Sequence, residues 1–430
     1  MQVTYNKRIG NAWAMYDWAN SVYSLCVSTA IFPIYYTLVM NPNDEKGKLV
    51  DFMGFQFDNA SLLSYAISAS FLVIVVLLPF MSGVADYSGR KKAFMQGFVI
   101  IGSLACASLY FFDENSLNIG IFGAFLASIG FAGSLVFYNA FLPEIAPPEK
   151  FDRLSAKGFS MGYLGSVLLL IISIAMIQMP STFGFENELS AMRFSFLLVA
   201  IWWLGFSQIT LRIVPEKRRK DKGWGEMLTK GLTELKKVWV ELKELPNTKR
   251  FLTAFWFISM GVQTIVYMAS IYAKTELGFE AGQLIVIILL IQIVAAGGAF
   301  IFSRLSERIG NIKSMIIQTV IWVFICLLAF MVTVETAWLF YVVAFLVGLV
   351  LGGVQSLARS TYSKLLPETN DHASYFSFYE ITEKTGIMIG TLGFGLVTEI
   401  VELRYAPLLL MVFFIIAIPL LNSIKKLKLN

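Results

Sequence analysis

Twelve times along this 430-residue chain, an apolar run long enough to cross a bilayer gives way to a short charged stretch. About 18 such residues, coiled as a helix, cover a hydrocarbon core roughly 30 Å thick. They must be helical, because inside lipid every backbone amide and carbonyl has to find its partner within the chain. Composition excludes a soluble fold: 57% of residues are hydrophobic and 15% charged, against roughly 45–50% and about 25% in soluble domains. The expected fold class is an all-α integral membrane protein. Its spans fall at 13–40, 60–82, 93–112, 117–142, 157–179, 190–213, 251–273, 281–303, 314–334, 337–358, 373–398 and 405–424.

Charge sets the orientation. With the N-terminus inside, 28 Lys and Arg fall in the loops and span ends of that side and 5 on the other, Lys384 lying deep within a span. An excess of Lys and Arg marks the cytoplasmic side, so both termini are expected in the cytoplasm, most simply of a bacterial cytoplasmic membrane. The net charge of +5 expresses this bias. It suits anionic lipid at the inner face and gives no reason to expect nucleic acid. The first span follows Lys7 and Arg8 without a small-residue cleavage site and reads as a signal anchor. Cys26, Cys106 and Cys326 all lie inside spans, with no metal-ligand spacing. No metal, cofactor or intramembrane enzyme chemistry is expected: the chain has one histidine, His372 at a membrane edge, and no HExxH or Walker motif.

The longest loop divides the chain into 1–214, a linker 215–250, and 251–430. The linker opens on a basic cluster, Lys217, Arg218, Arg219, Lys220 and Lys222. Trp224, Leu228, Leu232, Leu235, Trp239, Leu242 and Leu245 then recur at helical steps between lysines. That pattern predicts an amphipathic helix resting on the inner lipid surface, or a site for a regulatory partner.

Two motifs occur twice. Asp86-Tyr-Ser-Gly89-Arg90-Lys-Lys92 follows span two and Glu307-Arg-Ile-Gly310-Asn-Ile-Lys313 follows span eight, 221 residues later. Tyr138-Asn-Ala-Phe-Leu142-Pro143-Glu144 and Tyr362-Ser-Lys-Leu-Leu366-Pro367-Glu368 are offset by 224. Two unrelated motifs at nearly one offset indicate a duplicated six-helix unit, an arrangement found in secondary transporters with a midplane site between the repeats.

The segment Ser82 to Lys92 resembles the loop signature between spans two and three of the major facilitator superfamily, Gly-x-x-x-Asp-Arg-x-Gly-Arg-Arg, with Ser82 at the first Gly position and Tyr87 at the first Arg. Trp13-Ala-Met-Tyr-Asp17-Trp-Ala-Asn20-Ser-Val-Tyr23 resembles the branch of fungal autophagy-related vacuolar amino-acid effluxers and their bacterial relatives of unassigned substrate. So do Tyr138 to Glu144, Gly162-Tyr-Leu-Gly165 and Gly353-Val-Gln355-Ser-Leu-Ala-Arg359-Ser360. The resemblance implies two pseudo-symmetric six-helix bundles. It also implies that Asp86 docks on the amino end of span eleven when the inner gate is shut. There the helix dipole favours an anion by roughly 0.3–1 kcal/mol. Gly89 would allow the reversal and Arg90 to Lys92 hold the loop at the lipid face. Glu307, Gly310 and Lys313 would act likewise on span five. A charged turn obeying the positive-inside rule is the plainer reading of both loops.

Span eleven carries Tyr379, Glu380, Glu383 and Lys384. Counted from Ala373, Glu383 and Lys384 lie roughly 15 Å deep, where charges are costly and functional by default. Glu380 and Lys384, four apart, can pair, leaving Glu383 as the expected proton-coupling carboxyl. A water-filled cavity merely kept open by these charges is the alternative. Asp17 and Asn20 share a face of span one and could meet a solute's amino group or a coupling ion, or else cap the helix. Asn139, Gln263 and Gln355 are candidate cavity residues, or interhelical hydrogen bonds. Arg359, at the inner end of span ten, is expected to snorkel to lipid phosphate or pair with a loop acid rather than bind substrate. Close-packing glycines are expected in span five (Gly158, Gly162, Gly165) and span eleven (Gly386, Gly390, Gly393, Gly395). The expectation is a monomeric alternating-access transporter of a small polar organic solute such as an amino acid, coupled to protons. A non-transporting scaffold or sensor of the same fold is the alternative.

Overall fold

Apolar runs become helices, several of them longer than the run itself. The computed structural model describes residues 4–41, 48–216 and 224–425. The cluster Lys217, Arg218, Arg219, Lys220 and Lys222 lies outside them, with Lys46, Lys426, Lys428 and the side chains of Trp224 and Leu228. The helices are α1 (Lys7–Met40), α2 (Asn59–Ser88), α3 (Lys91–Ser108), α4 (Leu117–Ala140), α5 (Phe151–Gln178), α6 (Glu188–Ile213), the linker helix α7 (Trp224–Glu244), α8 (Pro246–Leu277), α9 (Ala281–Ile309), α10 (Asn311–Met331), α11 (Leu339–Leu365), α12 (His372–Ile400) and α13 (Ala406–Asn422).

Among the described residues, eleven helices hold a stretch apolar enough to span a membrane. The twelfth span is α12. Its 29 residues would rise about 43 Å, and what takes it out of a purely apolar class is the charge of Glu380, Glu383 and Lys384. Twelve spans in two six-helix bundles is the architecture.

In the N-terminal bundle α1 packs on α5 and α6, α4 on α2 and α3, and α3 on α6. The C-terminal bundle repeats the scheme: α8 on α12 and α13, α9 on α11, α10 on α13. The bundles meet along α5 with α9 and α11, and along α12 with α2 and α4. Lys157 Nζ donates to Asn11, while Arg250 Nη1 donates to the Ser423 carbonyl (2.8 Å). The start of α1 and the end of α13 therefore lie on the face that carries α7, termed the linker face below.

Three local features were not expected. Pro33 cannot donate an amide bond, and the helix ahead of it, Tyr23–Ile31, widens to π geometry. Thr29 Oγ1 donates to the Ser24 carbonyl five residues back (2.8 Å). On the far side of the membrane, β1 (Leu49–Phe52) and β2 (Phe55–Asp58) form a hairpin whose turn, Met53-Gly54, has two positive φ angles, 55° and 83°. Gly395 has open space around it, whereas Gly158, Gly162 and Gly165 abut α1 and Gly386 and Gly390 abut α8.

The linker helix corrects an expectation. It does not rest on lipid alone, because one edge is seated on protein. Gly231 lies directly on the backbone of α2 at Gly83 and Val84, and Val238 and Leu242 are buried. Tyr87 of α2 donates to Glu226 (2.7 Å), and Tyr375 of α12 donates to Glu241 (2.6 Å). Lys237 reaches Asp371 (3.1 Å) and Trp239 packs on Phe378. One helix thus touches both bundles. Amphipathic periodicity shows that a face is buried without showing what buries it.

Candidate functional site

A cavity of about 170 Å³ lies between the bundles at mid-depth. All nine residues singled out for a central site line it: Asp17, Asn20, Asn139, Gln263, Gln355, Tyr379, Glu380, Glu383 and Lys384. The widened segment of α1 adds Tyr23, Ser24 and Ser28 to the wall, in keeping with the tendency of π turns to mark functional sites. Apolar lining from Phe131, Phe159, Phe255 and Val262 surrounds these polar groups, as is usual for small-molecule sites.

Arg359 is the residue that sequence reasoning misplaced. The apolar run stops at 358, but α11 continues to Leu365, which carries Arg359 about 9 Å inward from that end. It is 2% exposed and does not snorkel to lipid. Nη2 donates to Asp17 Oδ2 at 3.0 Å and to the Ser155 carbonyl at 2.9 Å. Nη1 donates to Asn139 Oδ1 at 3.3 Å. Its guanidinium also lies 4.2 Å from the Phe159 ring centroid and 4.7 Å from that of Trp13, a cation–π setting. The signal available was spacing: Gln355 and Arg359 are four apart and share a helix face.

Asp17 is therefore neither a helix cap nor a free carboxylate. It is 4% exposed, bound by Arg359 and by the Tyr138 hydroxyl at 2.7 Å. Gly158 of α5 permits this, since a Cβ there would press on Asp17, the Arg359 guanidinium and the Tyr138 hydroxyl.

Glu383 is not the lone carboxyl that the sequence suggests. Lys384 Nζ lies 2.8 Å from Glu383 Oε2 and 3.4 Å from Glu380 Oε2, so one ammonium serves two carboxylates. Gln263 donates to Glu383 (2.9 Å) and Asn139 donates to Glu380 (3.1 Å). A flexible lysine stem reaches its own neighbour, which spacing rules for rigid faces do not anticipate. Tyr163 donates to Gln355, and Tyr379 stacks on Phe255 with centroids 4.5 Å apart. Among the described residues, Asn20 Nδ2 and Gln292 Oε1 stay buried without a hydrogen-bond partner. They offer a donor and an acceptor to a solute; Gln292 was not anticipated.

The two repeated loops sit where the bundles meet on the linker face, and they differ. Asp86 accepts from the backbone amides of Ala373 (3.2 Å) and Ser374 (2.7 Å) at the start of α12. Gly89, with φ 65°, closes α2 in the left-handed conformation, which glycine adopts without a Cβ penalty. Lys91 does not face lipid. It turns inward, 6% exposed, between Asp86 (3.2 Å) and Glu144, which also meets His372 (3.1 Å). Arg90 is half-buried. In the second loop Glu307 does not seek backbone amides; it takes the Arg153 guanidinium in two bonds, with side-chain exposures of 30% and 63%. Gly310 has φ 89°, and Lys313 is exposed. The buried contact on that side belongs to Asp152, which binds Ser306 (2.9 Å), Asn311 (2.8 Å) and Lys364 (2.7 Å).

Outside the membrane, the hydrogen bond from Lys237 to Asp371 holds the lysine ammonium above the ordinary lysine range. No cluster of His, Cys, Asp and Glu suited to a metal ion occurs among the described residues.

A two-bundle helical fold closed around a charged cavity at mid-membrane defines a transporter of the major facilitator type. The family model for Vacuole effluxer Atg22 like matches residues 5–428, and the chain belongs to this family. An uncharacterized MFS-type transporter of Bacillus subtilis, YxiO, is 31% identical over 96% of this chain and 93% of its own length. Autophagy-related protein 22 of Coccidioides immitis is 25% identical over 90% of this chain and 81% of its own. In fold, the chain is similar to the human organic anion transporter MFSD10, with a TM-score of 0.72 at 13% identity over 96% of this chain and 99% of that one.

Proposed function

We propose that the chain is an alternating-access secondary transporter of a small zwitterionic solute, an amino acid being the simplest fit, coupled to protons. One observation supports this above the rest. The cavity between the bundles holds cations and carboxylates of both signs within a few ångströms, Arg359 beside Asp17 and Lys384 beside Glu380 and Glu383. Ionic groups at this depth are too costly to be fillers. A solute bearing an ammonium and a carboxylate is the ligand such a set complements.

The hydrogen bonds and ion pairs joining the bundles crowd into the half of the membrane nearer the linker face. This suits a resting state shut on that side. We place the linker face in the cytoplasm from its lysines and arginines, with anionic lipid around it and the bundles divided at 214 and 251. A monomer satisfies these requirements.

The test is flux. Protein in liposomes, given an imposed pH gradient and a panel of labelled amino acids, should move at least one against its own gradient and collapse when the proton gradient is dissipated. Movement of none of the panel, by protein that remains folded, would overturn the assignment of substrate class.

A further inference from the structure

Charge at the cavity is divided unequally between the bundles. Of the lining side chains, the N-terminal bundle supplies one charge, Asp17, and the C-terminal bundle four: Arg359, Glu380, Glu383 and Lys384. Those four balance one another. Asp17 is the surplus anion, and at present it holds Arg359 across the bundle boundary at 3.0 Å. Two carboxylates of the C-terminal bundle consequently share one cation, Lys384.

Asn139 stands between these sets. Its carbonyl oxygen accepts from Arg359 and its amide donates to Glu380. Asn139 and Asp17 both belong to the N-terminal bundle, so any rocking that opens the linker face carries them off together. Arg359 then loses both of them, and Ser155 of α5 as well, and a buried unpaired cation is a strongly unfavourable state. The carboxylate of its own bundle joined to it through the Asn139 amide is Glu380, which loses its Asn139 bond in the same movement. Lys384 already lies closer to Glu383 than to Glu380, so the C-terminal bundle can settle into two neutral pairs. Asp17 is then a solitary carboxylate in a bundle with no other cavity charge.

We propose that Arg359 exchanges counter-ions when the linker face opens, leaving Asp17 for Glu380, and that Asp17 takes up the coupling proton as it is left. This rests on the alternating-access reading and names the carrier of its proton. The step balances: the ion pair to Asp17 breaks, the pair to Glu380 forms, and one proton from water neutralises the Asp17 carboxylate. The groups facing Asp17 are Arg359 from α11, the Tyr138 hydroxyl from α4, Tyr163 from α5 and its own neighbour Tyr16. Among them Arg359 is the cation, and its departure is what calls for a proton.

The experiment needs no solute. Spin labels at Lys150→Cys and Arg308→Cys, both exposed on the linker face, one just ahead of α5 and one in the last turn of α9, report the gap in lipid nanodiscs, with Cys26, Cys106 and Cys326 replaced. In the parent, acid should favour the long distance, the open-to-closed ratio changing by up to about tenfold per pH unit, the limit for one proton. Asp17→Asn should hold the long distance at every pH. Asp17→Glu, which keeps an acid there and tests that the site still folds, should retain the response. Glu380→Gln should stay closed in acid, because Arg359 has no destination. A surviving pH response in Asp17→Asn, or normal opening in Glu380→Gln, overturns the exchange while leaving alternating access intact. A single distance that no pH changes in the parent overturns both.

Discussion

The backbone amide of Ser374 donates a 2.7 Å hydrogen bond to the carboxylate of Asp86, across 288 residues of chain. It joins the end of α2 in one bundle to the first turn of α12 in the other. Asp86 also carries Lys91 at 3.2 Å. Asp86→Asn leaves the size unchanged and removes the charge, so it should cost about 1–3 kcal/mol of stability through the weakened buried bonds. The linker-face gap should open more often, seen as faster maleimide labelling of a cysteine placed at Ser374. Unchanged labelling would mean that this contact does not hold the gate.

Two salt bridges at the seam of the second loop should respond differently to the loss of a partner. Lys364 and Asp152 are 6% and 4% exposed in their side chains, and removing one partner of such a pair strands the other. Lys364→Met should lower stability by about 3–5 kcal/mol, measured as a fall in denaturation midpoint. Arg153→Gln, at an exposed pair, should shift that midpoint little, and less still in high salt. Equal losses from the two variants would contradict the burial difference.

At Gly158 the smallest possible side chain should be enough to disturb the site. A Cβ placed there lies 2.9 Å from Arg359 Nη2 and 3.1 Å from the Tyr138 hydroxyl. Gly158→Ala should therefore separate Asp17 from Arg359, at a cost of about 1–3 kcal/mol for overpacking, and reduce flux. Gly205→Ala, with nothing within 4 Å, is the control that should do neither. The comparison is read by thermal denaturation and by uptake into liposomes.

Much of this was legible in the chain. Span number, the repeat and the nine cavity residues follow from apolar run length, motif offset and charge at depth, three signals written in single residues and their spacing. Arg359, Lys91 and the seat of α7 were not legible, for one shared reason. Each depends on direction: a helix that runs past its apolar stretch, a lysine that turns inward to Asp86 and Glu144, an apolar stripe that meets protein. Sequence periodicity fixes which residues share a face and is silent on what lies opposite. Lys384 choosing its neighbour Glu383 over the residue one turn back is the same lesson within a single side chain.

The seat of α7 can be tested through Gly231. A Cβ there meets the Val84 amide nitrogen at 2.8 Å, so Gly231→Leu should lift the helix and speed tryptic cleavage at Lys236 and Lys237. Alkaline pH should act the same way through Lys237, whose ammonium is held above its ordinary range by Asp371. A group raised on folding stabilises fully below its unfolded value and loses that contribution as pH climbs through the folded one. Cleavage should thus quicken only at pH values above those where free lysine titrates. No change in cleavage with either treatment would show that the helix is held by other contacts.

A duplicated molecule with a single connector cannot keep its two sides equal. The pair of helices that the connector covers is dry to its rim and holds a carboxylate on backbone amides and Lys91, as Asp86 is held; the uncovered pair is wet at its rim, outside the buried Asp152 contact, and there Glu307 takes a paired guanidinium. Exchanging the loops between the two halves would then fail in both directions, even where their spelling matches, because each is fitted to the dampness of its own seam.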